Sequence, residues 1–149
     1  MALIQQSAGE FEEKFEEKKL DVVMDIPMHP VFVMADGRKM WRVLENLYGN
    51  IYKYALEGTR VYIDLKVVKK MVILSVKNIS SNPLHVDSDD LSERFIRGDV
   101  SRTTEGSGLG LSIAKSIIDR HNGEFKIILD GDLFKINIKL DAYVEEEKE

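Results

Sequence analysis

The sequence has no cysteine, only three prolines and no long apolar run. Without cysteine the chain forms neither a disulfide nor a cysteine-based zinc site, which fits a reducing compartment. No apolar run approaches the roughly 18 residues of a membrane span, and no signal peptide is present. We therefore expect a cytoplasmic location and no membrane contact by this segment.

Positive charge is also in deficit, with 21 Lys and Arg against 26 Asp and Glu and a net charge of -5. Much of the acidic excess lies at the two ends, in residues 10–17 and 145–149. Such a balance argues against nucleic acid as a partner, because a phosphate backbone is bound through cations. The 149 residues, 44% of them hydrophobic, suit one domain of ordinary size.

Residues 42–55 predict a helix with two roles. At 100° per residue an apolar stripe shares one side of it, formed by Met40, Val43, Leu44, Leu47 and Ile51. Asn46, Asn50 and Lys53 fall on an adjoining strip, where residues three and four apart are about 5–6 Å apart at Cβ. Two carboxamides and an ammonium suit a hydrated Mg²⁺ bound to phosphate. The alternative is a surface helix that carries two Asn, although Asn in a helix interior costs helix propensity.

A second candidate phosphate-binding element is the glycine-rich stretch 104–115, which leads into an apolar-periodic helix. Glycines let the backbone approach a phosphate, and the free N–H groups of a helix start supply donors. The Gly-x-Gly-x-Gly pattern alone is weak evidence. No clear Rossmann strand precedes it and the Lys-Ser/Thr ending of a P-loop is absent, so both of those sites are disfavoured.

Three motifs together resemble those of sensor histidine kinases. Asn46-x-x-x-Asn50-x-x-Lys53-Tyr54 resembles their N box, residues 93–99 resemble their F box, and residues 106–111 resemble their second glycine box. The motifs occur in the family's order, and the resemblance covers about residues 20 to 140. The chain is thus similar to the catalytic, ATP-binding domain of these kinases, in the superfamily that includes DNA gyrase, heat-shock chaperones and mismatch-repair ATPases.

The resemblance implies ATP and Mg²⁺ as ligands and assigns roles to individual positions. Asn50 matches the Mg²⁺ ligand, Lys53 a phosphate contact and Tyr54 an aromatic residue near the adenine. Arg97 matches an arginine that reaches the γ-phosphate, although a solvated arginine would look the same in sequence. The positions that match backbone amides around the phosphates are Gly106, Gly108, Leu109 and Gly110.

Asn46 bears on the type of reaction. In the related ATPases, the position four before the Mg²⁺-binding Asn is a Glu that activates water. A neutral Asn cannot remove a proton from water, which favours a kinase over an ATPase. Glu45 is no substitute, because one residue along a helix turns it about 100° away.

Asn78 is the main departure from the family pattern, which has an Asp followed by glycines. That Asp accepts a hydrogen bond from the adenine amino group. Asn78 can accept it through its carbonyl oxygen but without the charge, a difference of about 1 kcal/mol. Its amide can also donate, so we expect weaker discrimination of adenine from guanine. The alternative is that Asn78 only opens a turn.

The remaining elements predict a two-layer α/β sandwich in which about three helices cover one face of a mixed five-stranded sheet. Asp36 is the expected N-cap of the helix that carries Asn46 and Asn50, which starts near Gly37. Residues 79–105 form a long connection with a short helix near 89–95, expected to act as an ATP lid. Strands are expected at 20–26, 31–34, 59–68, 71–77, 124–129 and 133–140, and a second helix is expected at 109–121.

Three regions are predicted along the chain. Residues 1–19 form an amphipathic helical piece, which either packs on the domain or ends a preceding helical dimerisation region, as the resemblance implies. Residues 20–141 form the ATP-binding kinase domain. Residues 142–149 are expected to be a disordered acidic tail.

The phosphoacceptor is expected outside this sequence, because His29, His85 and His121 lack the family's acceptor context. The resemblance implies transfer of the γ-phosphate to a histidine on the dimerisation domain of the same full-length, membrane-anchored protein, with a response regulator downstream. Two alternatives remain open. One is a degenerate module that binds nucleotide or a partner, and the other is a related protein-serine kinase acting on a regulatory protein.

Overall fold

The computed structural model describes residues 2–81 and 109–143, which form a five-stranded sheet with helices on one face. The elements are α1 (Ala2–Glu10), α2 (Glu12–Glu17), β1 (Asp21–Asp25), α3 (Gly37–Tyr54), β2 (Arg60–Val68), β3 (Met71–Ile79), α4 (Leu109–Arg120), β4 (Glu124–Asp130) and β5 (Leu133–Asp141). The strands follow the order β1-β2-β3-β5-β4. β1 is parallel to β2, and the other neighbours are antiparallel. The predicted mixed sheet and two-layer architecture are confirmed.

Strand alternation separates the two faces of the sheet. One row of paired residues crosses four strands and is buried beneath the helices, namely Ile63, Val76, Ile136 and Ile127. The next row points the opposite way and is polar, namely Asp64, Ser75, Asn137 and Lys126. Because side chains alternate along a strand, the apolar row forms the core and the polar row leaves the second face open.

Helix α3 occupies the centre of the helical layer. All five residues of the predicted apolar stripe are buried, and Leu47 is completely so. The carboxylate of Asp36 accepts hydrogen bonds from the backbone N–H groups of Arg38 and Lys39, at 3.0 and 3.1 Å. This confirms Asp36 as the N-cap. Tyr48 is also fully buried, which the stripe did not predict.

Tyr48 is buried because the N-terminal helices cover it. Its ring centroid lies 5.6 Å from that of Phe11 and 6.2 Å from that of Phe15. Its hydroxyl donates to the Ile4 carbonyl oxygen over 3.4 Å. The predicted helical piece is two helices that break at Phe11, and both pack on this domain. Their assignment to a preceding dimerisation region stays a prediction.

Two boundaries differ from those predicted. Residues 31–34 are not a strand, because only Val33 forms a bridge, to Ala142. The chain also stays hydrogen-bonded past the predicted domain end at 141, since the N–H of Ala142 donates to Lys70 O (2.8 Å) and that of Tyr143 to Phe32 O (2.7 Å). A β-rich run needs a pairing partner along its length, and here the partner is only two residues long.

Residues 82–108 and 144–149, with the predicted lid, its short helix and most of the tail, lie outside the described residues. Within the described ranges, no helix has the length and apolar character needed to cross a membrane.

The turn between α4 and β4 is tightly packed at Gly123. A Cβ atom there would lie 2.6 Å from Leu140 Cδ2, 2.7 Å from the Lys139 carbonyl oxygen and 2.8 Å from Ile118 Cγ2. Contacts this short do not occur, and a strand carbonyl cannot move without breaking the ladder. The turn therefore has no room for a side chain.

We expect Gly123→Ala to lower the free energy of unfolding by about 1–3 kcal/mol, the usual cost of overpacking. Urea denaturation measures it. Gly37→Ala is the matched control, because no described atom lies within 4 Å of its Cβ position, and its effect should stay within about 0.5 kcal/mol. Equal effects of the two substitutions would contradict the steric argument.

Candidate nucleotide-binding site

The end of α3 is joined to the end of β3 by backbone hydrogen bonds. The N–H of Leu56 donates to Ile79 O over 2.7 Å, and that of Ser81 to Tyr54 O over 2.8 Å. Ala55 and Ser80 form a β-bridge between them. These bonds bring the last turns of α3 and the last residues of β3 to the same end of the sandwich. The polar strip of α3 and Asn78 therefore share one neighbourhood.

Two of the candidate carboxamides are buried at this end. Asn50 is 9% exposed and Asn78 is 2% exposed. Asn78 continues the alternation of β3 on the face covered by the helices, where it pairs with Phe134. It lies within the strand, so the alternative that it opens a turn is wrong. Lys53 is exposed, so its ammonium lies at the rim of this region.

Asn46 contacts the start of α4. A Cβ atom built on Gly110 would lie 3.6 Å from Asn46 Cγ and from its Oδ1, which is ordinary van der Waals contact. The glycine therefore lies against the carboxamide. Asn46 of α3 and Gly110 of α4 are 64 positions apart in the sequence, and in the fold they form one surface.

The side-chain amide nitrogen of Asn46 is buried and has no hydrogen-bond partner in the described part of the chain. A buried donor left unsatisfied costs about 1–3 kcal/mol. Such a group is explained by an acceptor that arrives with a ligand or a water. Asn46 thus adds to the site a donor that a phosphate oxygen could satisfy.

Helix α4 begins at Leu109, where the sequence placed it. The first four N–H groups of a helix lack intrahelical acceptors and carry a partial positive charge. In α4 this end lies next to Asn46, because Gly110 is in contact with the Asn46 carboxamide. The arrangement therefore offers backbone donors beside two carboxamides, a set that suits a phosphate group.

His121 links the C-terminal end of α4 to the N-terminal end of α3 and so fixes the relative position of the two helices. Its Nδ1 lies 2.8 Å from the Ile117 carbonyl oxygen, and its Nε2 accepts the N–H of Asp36 over 3.2 Å. A carbonyl only accepts, so Nδ1 carries the hydrogen. Hydrogen bonding from the Lys39 N–H lowers the pKa of the Asp36 carboxyl, which keeps the N-cap charged. Both ring nitrogens of His121 therefore have hydrogen-bond partners within the fold.

The structure brings five of the predicted site positions to one end of the sandwich, and these are Asn46, Asn50, Tyr54, Asn78 and Gly110. Lys53 lies on the same stretch of α3. Arg97, Gly106 and Gly108 lie outside the described residues, and of Leu109 only the backbone is described. The individual roles of all these residues stay predictions.

Ser80 is a buried polar residue of this region that the sequence reasoning missed. It is 9% exposed and lies on the same face as Asn78. Its N–H donates to Asp132 O over 2.7 Å. In the structure the alternation of buried positions from Val72 continues through Asn78 to Ser80, past the predicted strand end at 77. The sequence gave no apolar signal for it, because positions 78 and 80 are polar.

The donor set fits a hydrated magnesium ion rather than a protein-enclosed metal. Within residues 2–81 and 109–143, no group of three or more His, Cys, Asp or Glu side chains is placed to hold a metal. Mg²⁺ usually keeps several waters and takes one or two protein oxygens together with substrate phosphates. The carboxamide oxygen of Asn50 can supply one such ligand.

Comparison with known proteins gives a consistent result. Residues 35–146 match the family model described as histidine kinase-, DNA gyrase B- and HSP90-like ATPase. The sensor histidine kinase WalK of Bacillus subtilis is 32% identical over 116 residues, which are 75% of this chain and 19% of WalK. The sensor histidine kinase RppB of Synechocystis is 29% identical over 143 residues, 93% of this chain and 32% of RppB. The chain thus spans between a fifth and a third of these relatives.

A solved structure with the same fold is the catalytic domain of histidine kinase ThkA. It has a TM-score of 0.81 and 26% identity, and the match covers 94% of this chain and 90% of that domain. The fold therefore extends over the whole of a separately solved unit.

We expect Asn46→Leu to raise the free energy of unfolding of the nucleotide-free chain by about 1–3 kcal/mol, because an apolar side chain removes the unsatisfied donor. Urea denaturation measures the change. Asn137→Leu is the control with the opposite sign, since Asn137 Oδ1 accepts a 2.6 Å hydrogen bond from Ser75. If Asn46→Leu destabilises the chain as much as Asn137→Leu does, the amide of Asn46 is not an unsatisfied group.

Proposed function

The chain belongs to the histidine kinase-, DNA gyrase B- and HSP90-like ATPase family, and on that premise we propose that it binds ATP with Mg²⁺ as the catalytic domain of a sensor histidine kinase. The observation that carries the proposal is the contact between Asn46 and Gly110. It joins the two motifs that the family uses for nucleotide, at the end of the sandwich where Asn50 and Asn78 are buried. The quoted relatives are sensor histidine kinases, which favours this function over the degenerate module and the serine kinase.

In this proposal each element contributes one kind of contact. The carboxamide oxygen of Asn50 would coordinate Mg²⁺ as a neutral ligand, and the exposed ammonium of Lys53 would offset the negative charge of the phosphates. The backbone amides of Gly106, Gly108, Leu109 and Gly110 surround the phosphates at the start of α4. Tyr54 packs near the adenine, and Asn78 accepts a hydrogen bond from its amino group. When bound, Mg²⁺ neutralises charge on the phosphate oxygens.

In the proposal Asn46 helps to bind the nucleotide and does not activate water. Its carboxamide has no basic atom, so it cannot take a proton from water as a glutamate does. Its buried N–H group can instead donate to a phosphate oxygen or to an ordered water. ATP is then kept intact until a protein nucleophile reaches the γ-phosphorus. This division of roles is what a kinase domain needs and an ATPase does not.

The nucleophile in the proposal is a histidine on the dimerisation domain of the same full-length protein. Its imidazole nitrogen forms a P–N bond as the bond between the γ-phosphorus and the bridging oxygen breaks, and ADP leaves. Arg97 compensates charge on the transferred group. The phosphohistidine then supplies a response regulator. In the proposal the full-length protein is anchored in the membrane, this domain lies in the cytoplasm without contacting the membrane, and no nucleic acid takes part.

We expect Asn50→Ala to weaken Mg²⁺-ATP binding about tenfold or more, because a metal ligand is lost, and isothermal titration calorimetry measures it. Glu45→Ala is the matched control, since Glu45 is exposed on the same helix and turned away from the strip. It should bind like the unmodified chain. Absence of binding by the unmodified chain at millimolar ATP would contradict the proposed function.

We expect Asn78→Asp to raise the ATP:GTP affinity ratio about fivefold, because an ionised carboxylate accepts from the adenine amino group with charge assistance and cannot donate to guanine. Competition calorimetry with the two nucleotides measures the ratio. Asn137→Asp, on the open face of the sheet, is the control and should leave it unaltered. An unchanged ratio in Asn78→Asp would remove Asn78 from adenine recognition.

A further inference from the structure

An apolar cavity lies between the helices and the sheet, at the end of α3 away from Asn50. Its volume is about 210 Å³, and every residue that lines it is apolar. Its walls include Leu3 and Ile4 of α1, Met40 and Val43 of α3, and Leu74 of β3. Met40 and Asn50 are ten residues apart, about 15 Å along a helix axis. The cavity is therefore separate from the proposed nucleotide site.

The cavity is large for a protein core. An engineered apolar cavity of about 150 Å³ stays dry and binds benzene. An empty space of this kind destabilises a fold, because the lining atoms lose their packing partners. The lining surface is mostly apolar and offers water few hydrogen-bond partners, so the fitting occupant is a hydrocarbon group.

Phe32 marks the mouth of the cavity. It is one of the lining residues, yet it is 64% exposed. Its neighbour Met34 is 76% exposed. In the segment that carries both, Val33 forms a bridge with Ala142, in which the Phe32 carbonyl oxygen accepts a hydrogen bond from the Tyr143 N–H. A chain-like ligand can enter here and leave its polar end in solvent.

The surface beside the mouth is cationic, although the chain as a whole is acidic. Val33 lines the cavity and bridges Ala142, whose N–H donates to Lys70 O. Each of these two pairings spans about 5 Å, so the Lys70 backbone lies about 10 Å from that of Val33, within reach of a lysine side chain. Four exposed cations lie next in the chain to residues around this end: Arg38 and Lys39 in the first turn of α3, just before Met40, and Lys69 and Lys70 in the turn between β2 and β3. Two carboxylates accompany them, since Asp36 precedes the first pair and Asp141 pairs with Met71 across β3 and β5.

From these features we infer that the cavity is a binding site for a single alkyl chain with an anionic head group, such as a fatty acid. The chain fills the apolar space beneath α1, and the head group lies at the mouth, close to Lys70. Because Met40 and Val43 share α3 with Asn46 and Asn50, an occupant also packs against the helix of the proposed nucleotide site.

The test is calorimetric titration of the nucleotide-free chain with hexanoate, octanoate and decanoate, and with decyltrimethylammonium as the cationic counterpart. We expect saturable binding of one carboxylate per chain. Affinity should rise about fourfold for each added methylene until the cavity is full. The cationic amphiphile should bind at least tenfold more weakly than decanoate. No nucleotide is present, so the outcome is independent of the proposed function.

Two pairs of variants locate the ligand. Val31→Phe extends a lining side chain into the cavity and should lower decanoate affinity tenfold or more. Val23→Phe makes the same change on the open face of β1 and should not. Lys70→Glu should weaken decanoate binding several-fold, whereas Lys126→Glu, on the edge strand β4, should not.

The proposal is overturned if decanoate does not bind saturably at millimolar concentration, or if the cationic amphiphile binds equally well. It is also overturned if the members of either variant pair behave alike. The chain-length and head-group comparisons use the unmodified chain, so they decide the question even if Val31→Phe does not fold.

Discussion

The burial of one side of α3 is the constraint on which the site depends. Val43, Leu47 and Ile51 fix the rotation of the helix about its axis, because they are at most 2% exposed. Residues of a helix keep a fixed angular relation, so the direction of Asn46 and Asn50 is then determined. The position of the polar strip is thus set by hydrophobic packing, and the bonds from Leu56 and Ser81 hold its far end against the sheet.

Sequence periodicity predicted the elements that carry their own signal. The long helix, its N-cap and both antiparallel hairpins were found because local spacing and turn residues determine them. The strand expected at 31–34 was wrong, because β propensity does not reveal whether a partner strand is available. Burial of Tyr48 was missed for a similar reason, since it depends on helices more than 30 residues earlier in the chain.

The residues of the site could be predicted from the sequence, but the contacts between them could not. Motif spacing placed Asn46 and Asn50 on one strip, and only the resemblance to a known family connected that strip with Gly110. The distance between Asn46 and Gly110, and the unsatisfied amide nitrogen, exist only after the chain has folded. The acidic sequence likewise gave no sign of the cationic surface around Lys70, because net charge averages over faces that the fold separates.

The position of β5 between β3 and β4 has a consequence for how the molecule assembles. The hairpins β2–β3 and β4–β5 join neighbours in sequence, but the seam between β3 and β5 pairs residues as distant as Met71 and Asp141. Local hairpins form early and at little entropic cost, whereas a seam between distant segments carries a large loop-closure entropy. The entropic cost of joining the two hairpins therefore falls on this seam, and the contact between α3 and α4, which belong to different halves of the chain, depends on the same closure.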